Sequence, residues 1–169
     1  MQLIIVEDDH DLLSSLTLIL RCEQGINVVG AYSTGEDALE FLDSHASNTM
    51  LVDLGLPGMS GIELIAKVKS KYPDIETMVY SGSADKGSIL TALKAGATGY
   101  ILKGSTPREL VESLHDLHAG GAPMSPKVAR KVIREFHAPT LDDCSMLTRR
   151  EREILACIEK GASYKNLNP

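Results

Sequence analysis

The sequence predicts an α/β protein built on a parallel β-sheet with helices on both faces. Two continuous apolar runs, Leu3-Ile4-Ile5-Val6 and Met50-Leu51-Val52, lack the polar alternation of a half-wet strand and read as strands covered on both sides. Strand-like and helix-like stretches alternate five times between Gln2 and His118, the pattern of βαβ units with right-handed crossovers. Capping boxes at Ser60 with Glu63 and at Thr106 with Glu109 open helices directly after strand ends.

In order, the Leu3 strand ends in Glu7-Asp8-Asp9, and apolar residues at 12, 16, 19 and 20 then fall at helical spacing. Asp9 reads as a helix-start residue and His10 as a surface residue of that helix. Asn27 to Tyr32 is a short strand, and Thr34 caps a helix with Ala38, Phe41 and Leu42 on one face. The Met50 strand ends at Asp53. Leu54-Gly55-Leu56-Pro57-Gly58 cannot extend it and forms a loop. The next helix turns Ile62, Ile65 and Val68 inward and stops at Pro73. Thr77 to Tyr80 is a strand ending in Ser81-Gly82-Ser83, followed by a helix with Ile89, Leu90 and Leu93 inward that Gly96 terminates. Tyr100-Ile101-Leu102 is the fifth strand, ending at Lys103. Thr106-Pro107 then starts a helix that buries Leu110, Leu114 and Leu117.

Gly120-Gly121-Ala122-Pro123 marks a domain boundary, giving three parts: residues 1–119, a linker at 120–147, and 148–169. Within the linker, Ser125-Pro126 caps a helix from Lys127 to Phe136, whose Lys127, Arg130, Lys131 and Arg134 form a solvated basic face. Thr148 to Glu151 is a third capping box.

Parallel strands share a direction, so Glu7, Asp8, Asp53, Ser81 and Lys103 emerge at one sheet edge, where open α/β sheets do their chemistry. Carboxylates gathered without partners repel one another, and a divalent cation relieves this. Oxygen donors without His or Cys select a hard ion such as Mg²⁺. Lys103 supplies a positive charge for a phosphate oxygen and Ser81 a hydroxyl donor. Acids, Mg²⁺, lysine and hydroxyl around Asp53 describe phosphoryl transfer, with Asp53 as nucleophile forming an acyl phosphate.

Residues 1–118 resemble the receiver domain of two-component response regulators, on IIVEDD, VDLGLPGMSG, VYSGS and YILKGSTPREL in order. The resemblance implies a flavodoxin-like (βα)5 fold with strand order 2-1-3-4-5 and phosphorylation of Asp53 by a sensor histidine kinase. It also implies that Asp8 ligates Mg²⁺ directly, that Glu7 does so through water, and that Asp53 and the Gly55 carbonyl complete the protein ligands. Ser81 and Lys103 would grip the phosphoryl group. Tyr100 would be the aromatic switch, moving into space vacated when the loop after Tyr80 is drawn inward. Such a receiver assists its own phosphorylation and dephosphorylation and is not an enzyme acting on a separate substrate. Two departures stand out: Glu7 replaces an aspartate, and Gly104 stands where many receivers have proline.

LTRREREILACIEKGASYKN resembles the start of a LuxR-type helix-turn-helix, as in NarL/FixJ-type regulators. That module has four helices; 148–169 matches about one and the start of a second, without the recognition helix. The expectation is therefore a transcription regulator with a partial all-α output domain, and a chain that does not bind DNA specifically as it stands. Its leftover apolar face would favour a homodimer. The alternative is a receiver signalling through protein partners with no DNA output.

Other classes fit poorly. A net charge of −6 argues against broad binding to nucleic acid or anionic membrane. No 18-residue apolar run or signal peptide precedes the fold, and three scattered cysteines match no metal or disulfide pattern, so a cytoplasmic protein with no membrane partner is expected. A haloacid dehalogenase-type hydrolase would carry its nucleophile as D-x-D on the first strand, and a dinucleotide-binding fold needs G-x-G-x-x-G there. Neither is present.

Overall fold

The computed structural model describes residues 1–137. Five parallel strands, β1 (Gln2–Val6), β2 (Asn27–Tyr32), β3 (Thr49–Val52), β4 (Glu76–Ser81) and β5 (Gly99–Leu102), form one sheet in the order β2-β1-β3-β4-β5. The expected order is thus the observed one. Helices α1 (His10–Arg21), α2 (Gly35–Leu42), α3 (Gly61–Lys71), α4 (Lys86–Ala95) and α5 (Pro107–His118) alternate with the strands, and α6 (Pro126–His137) comes last.

The continuous apolar runs are explained by two cores, one on each face. Ile4, Val6, Met50 and Val52 pack with α2, α3 and α4, among Ala38, Leu64, Ile65 and Ile89. Leu3, Ile5 and Leu51 pack on the other side with Leu16 and Leu20 of α1 and Leu110, Leu114 and Leu117 of α5. Burying each such side chain contributes about 1.5–3 kcal/mol, so a polar residue at any of these positions would be costly.

Helix starts match their caps. Asp9 accepts from the amides of Asp11 and Leu12 at the head of α1, as its reading as a helix-start residue requires. Both capping boxes are formed. Asp85 caps α4, which the sequence reading did not single out. Gly96 ends α4 with φ of +114°, a conformation that favours glycine. Two inward faces differ from expectation by part of a turn. Leu64 is fully buried in α3, with Ile62 only partly covered. In α4, Ala92 is buried beside Ile89, Leu93 packs against the same core, and Leu90 is half-buried. Both helices lie close to neighbouring elements, and the position nearest the sheet goes to the residue in phase with it, not to the larger one.

The glycine pair at 120–121 does not end the packed body. A first compact unit runs from Met1 to Val132 and a second from Ile133 to Pro169. Residues 123–125 lie along the outer edge of β5, where Tyr100 and Met124 form a parallel bridge. An edge strand has unpaired backbone groups, and the chain after α5 supplies partners for them. The expected helix-turn-helix fragment at 148–169 and the rest of the linker beyond 137 lie outside the described residues. Among the described residues no helix is long and apolar enough to cross a membrane.

Candidate functional site

The sheet register builds the site. Val6 pairs with Val52 across β1 and β3, and Asp53 N–H donates to the Val6 carbonyl at 2.9 Å. Glu7 and Asp53 are therefore the next residues out on adjacent central strands. Glu7 is 1% exposed and Asp53 7%, whereas Asp8 is exposed. Oxygen atoms of Glu7, Asp8 and Asp53 all lie within 4.8 Å of one another.

Lys103 reaches this cluster from the end of β5. Its Nζ is 2.8 Å from each Glu7 carboxylate oxygen and 3.0 Å from Asp53 Oδ2. Asp53 Oδ1 accepts from the Leu54 amide at 2.8 Å, so both oxygens of the carboxylate are oriented. Burial pushes the Glu7 carboxyl above its ordinary value; the Lys103 hydrogen bond opposes this and the Asp53 charge adds to it. Burial alone would pull Lys103 down, but its hydrogen bonds to Glu7 and Asp53 outweigh that and hold the ammonium above its ordinary value.

The β3–α3 loop is held close to the Asp53 carboxylate. A Cβ at Gly55 would lie 3.3 Å from Asp53 Oδ2, so the Gly55 backbone passes beside the carboxylate. Gly61, the first residue of α3, comes closer still: its Cβ would meet the Asp53 carbonyl at 2.0 Å and Leu54 Cα at 2.7 Å. Sequence reading named Ser60 as the cap but missed this close approach. Glu36 of α2 clamps the same loop, accepting from the Met59 amide at 2.9 Å. It too was missed, because nothing in local sequence links α2 to that loop.

β4 and β5 bring the remaining residues. The Lys103 amide donates to the Ser81 carbonyl at 2.9 Å. Ser81 is 5% exposed; its Oγ accepts from the Ser83 amide at 3.3 Å, and its hydroxyl lies against that of Tyr100. Tyr100 is fully buried, with its hydroxyl donating to the Ser83 carbonyl at 2.8 Å. Burial pushes the phenol up; the Ser81 hydroxyl lowers it and the Asp53 charge raises it. Gly104, after Lys103, has φ of +100°. His10 is the exposed first residue of α1.

The donor set fits a hard divalent cation: three carboxylates at close range, two of them buried, with no nitrogen or sulfur donor in the cluster.

Residues 3–115 match the response regulator receiver domain family. The chain belongs to that family. It is similar to the nitrate/nitrite response regulator protein NarL of Escherichia coli K12, at 36% identity over 166 residues, covering 96% of this chain and 77% of NarL. The uncharacterized transcriptional regulatory protein YhcZ of Bacillus subtilis is 32% identical over 170 residues, covering 99% of this chain and 79% of YhcZ. Among solved structures, the isolated receiver domain of RcsB from Salmonella enterica serovar Typhimurium with the phosphomimetic BeF3⁻ superposes with a TM-score of 0.72 at 25% identity, over 78% of this chain and 97% of that one. A LuxR-family response regulator from Aurantimonas gives a TM-score of 0.74 at 25% identity, over 79% of this chain and 96% of that one. The receiver here is thus of the NarL/FixJ type, and its relatives are transcription regulators of two-component systems.

Proposed function

We propose that Asp53 accepts a phosphoryl group from a sensor histidine kinase and that this controls a DNA-binding output. The observation that carries the reading is the Asp53 carboxylate: buried at a central strand end, held by Leu54 and Lys103, and within 4.8 Å of two more acids. In the transfer, an Asp53 oxygen bonds to phosphorus as the bond from phosphorus to the donor imidazole nitrogen breaks. The electron pair goes to that nitrogen, which takes a proton from solvent. Lys103, already between Glu7 and Asp53, turns its charge to a phosphoryl oxygen, and the Ser81 hydroxyl donates to another. Asp8 and Asp53, with Glu7 acting through water and the Gly55 carbonyl, would hold Mg²⁺. When bound, Mg²⁺ supplies charge neutralisation for the developing anion.

The division into a receiver at 1–119, a linker at 120–147 and a LuxR-type output segment from 148 belongs to this proposal, as does a cytoplasmic setting. Acetyl phosphate with Mg²⁺ should add one phosphoryl group to the wild-type chain. Asp53→Asn should take up none, because an amide is no nucleophile, and Asp8→Ala should react much more slowly. Undiminished mass gain in Asp53→Asn would overturn the assignment.

A further inference from the structure

The chain after α5 does more than leave the receiver. The Tyr100 amide donates to the Pro123 carbonyl at 2.9 Å and the Ser125 amide to the Tyr100 carbonyl at 3.0 Å. The Leu102 amide donates to Ser125 Oγ at 3.0 Å. Beyond this edge pairing, Val128 of α6 is fully buried in the same core as Tyr100, Ile89 and Ala92, with Met124 and Val132 packed against it. Lys131 then donates its ammonium to the Ala84 carbonyl.

Two successive carbonyls of the β4–α4 loop are therefore gripped from different elements. Tyr100 of β5 holds that of Ser83, and Lys131 of α6 holds that of Ala84. The Ser83 amide in turn holds Ser81 Oγ. Hydrogen bonds at each end of the Ser83-Ala84 backbone thus join the linker helix to the hydroxyl at the acceptor site.

We propose that residues 123–132 form a strap that holds the β4–α4 loop, and through it the Ser81 hydroxyl, ready for a phosphoryl group, so that an anion at Asp53 and docking of the strap stabilise each other. The direction follows from Ser81: the Ser83 amide holds its Oγ at the strand end, where the hydroxyl can turn its proton to a phosphoryl oxygen. Coupling of this kind is reciprocal. This rests on the reading of Asp53 as phosphoryl acceptor.

The test uses the 169-residue chain with beryllofluoride and saturating Mg²⁺ as the phosphoryl mimic. Calorimetric titration gives the affinity, and amide hydrogen exchange reads the strap bonds directly at Tyr100, Leu102 and Ser125. The expected result is that beryllofluoride slows exchange at these three amides and that Lys131→Ala weakens its binding by about fivefold or more. Lys131→Arg, which keeps a donor, should restore the affinity, and Val128→Ala should weaken binding and strap protection together. Unchanged exchange at Ile5 and Val52 verifies that the variants fold. If the wild type binds beryllofluoride but strap exchange is unchanged or faster, or if Lys131→Ala binds it as tightly, the coupling is overturned while the acceptor reading stands. If the wild type does not bind beryllofluoride at all, both are overturned.

Discussion

Replacing Lys103 with methionine should make the stability of this receiver depend on Mg²⁺. Lys103 lies between Glu7 and Asp53, which are 1% and 7% exposed. Removing one partner of a buried ion pair costs about 3–5 kcal/mol, because the remaining charge is left without compensation. Two features place this case lower. The Lys103 side chain is 25% exposed, and Glu7, already raised by burial, can take up a proton. The expected loss at pH 7 in EDTA is therefore about 2–3 kcal/mol, or roughly 5–10 °C in Tm for a chain of this size. Mg²⁺ binding only the folded state restores about 2.7 kcal/mol at a hundredfold excess over its Kd. Freed from competition with the ammonium, the three carboxylates of Lys103→Met should gain more from it than those of the wild type. The assay is thermal unfolding of both proteins at pH 7, in EDTA and across a Mg²⁺ series. A variant whose Tm in EDTA stays within about 2 °C of wild type, or that gains no more from Mg²⁺, would refute the claim that Lys103 balances these acids.

Glu7→Gln should alter pH dependence. With its pKa raised, the folded protein binds a proton that the unfolded chain gives up, so this group's contribution to stability is lost as pH rises through the folded value and is full below the ordinary 4.5. The metal-free Glu7→Gln protein should lack that component, shown by flatter Tm against pH between about 4 and neutrality. Gly61→Ala should cost at least about 2 kcal/mol through overpacking, since the added Cβ meets Asp53 and Leu54 backbone; a denaturant melt measures it, and the phosphorylation rate with acetyl phosphate should fall with the displaced Asp53.

The fold was legible because its determinants are local. Continuous apolar runs in β1 and β3 require cover on both faces, and capping residues at Ser60 and Thr106 mark where helices begin. Strand ends in a parallel sheet share an edge, so Glu7, Asp8, Asp53, Ser81 and Lys103 could be gathered from the order of elements alone. Strand order itself entered only through the family resemblance, since local patterns do not say which strands pair. Helix phase was less readable: Ile62 and Leu64, or Leu90 and Ala92, are both compatible with an inward face, and proximity to the sheet decides between them.

Tertiary structure alone decided which charges pair and where the chain after α5 goes. Lys103 and Glu7 are far apart in sequence, and their 2.8 Å contact exists only because β1 and β5 end at the same edge. The sum of opposing effects on Glu7, burial against the ammonium, likewise depends on packing. The glycine pair at 120–121 reads locally as a break, yet β5 presents an open edge and an apolar surface around Tyr100 that Pro123, Ser125 and Val128 complete. A turn signal states that the backbone can change direction; only the unpaired groups it meets on returning determine whether it leaves the domain or closes it.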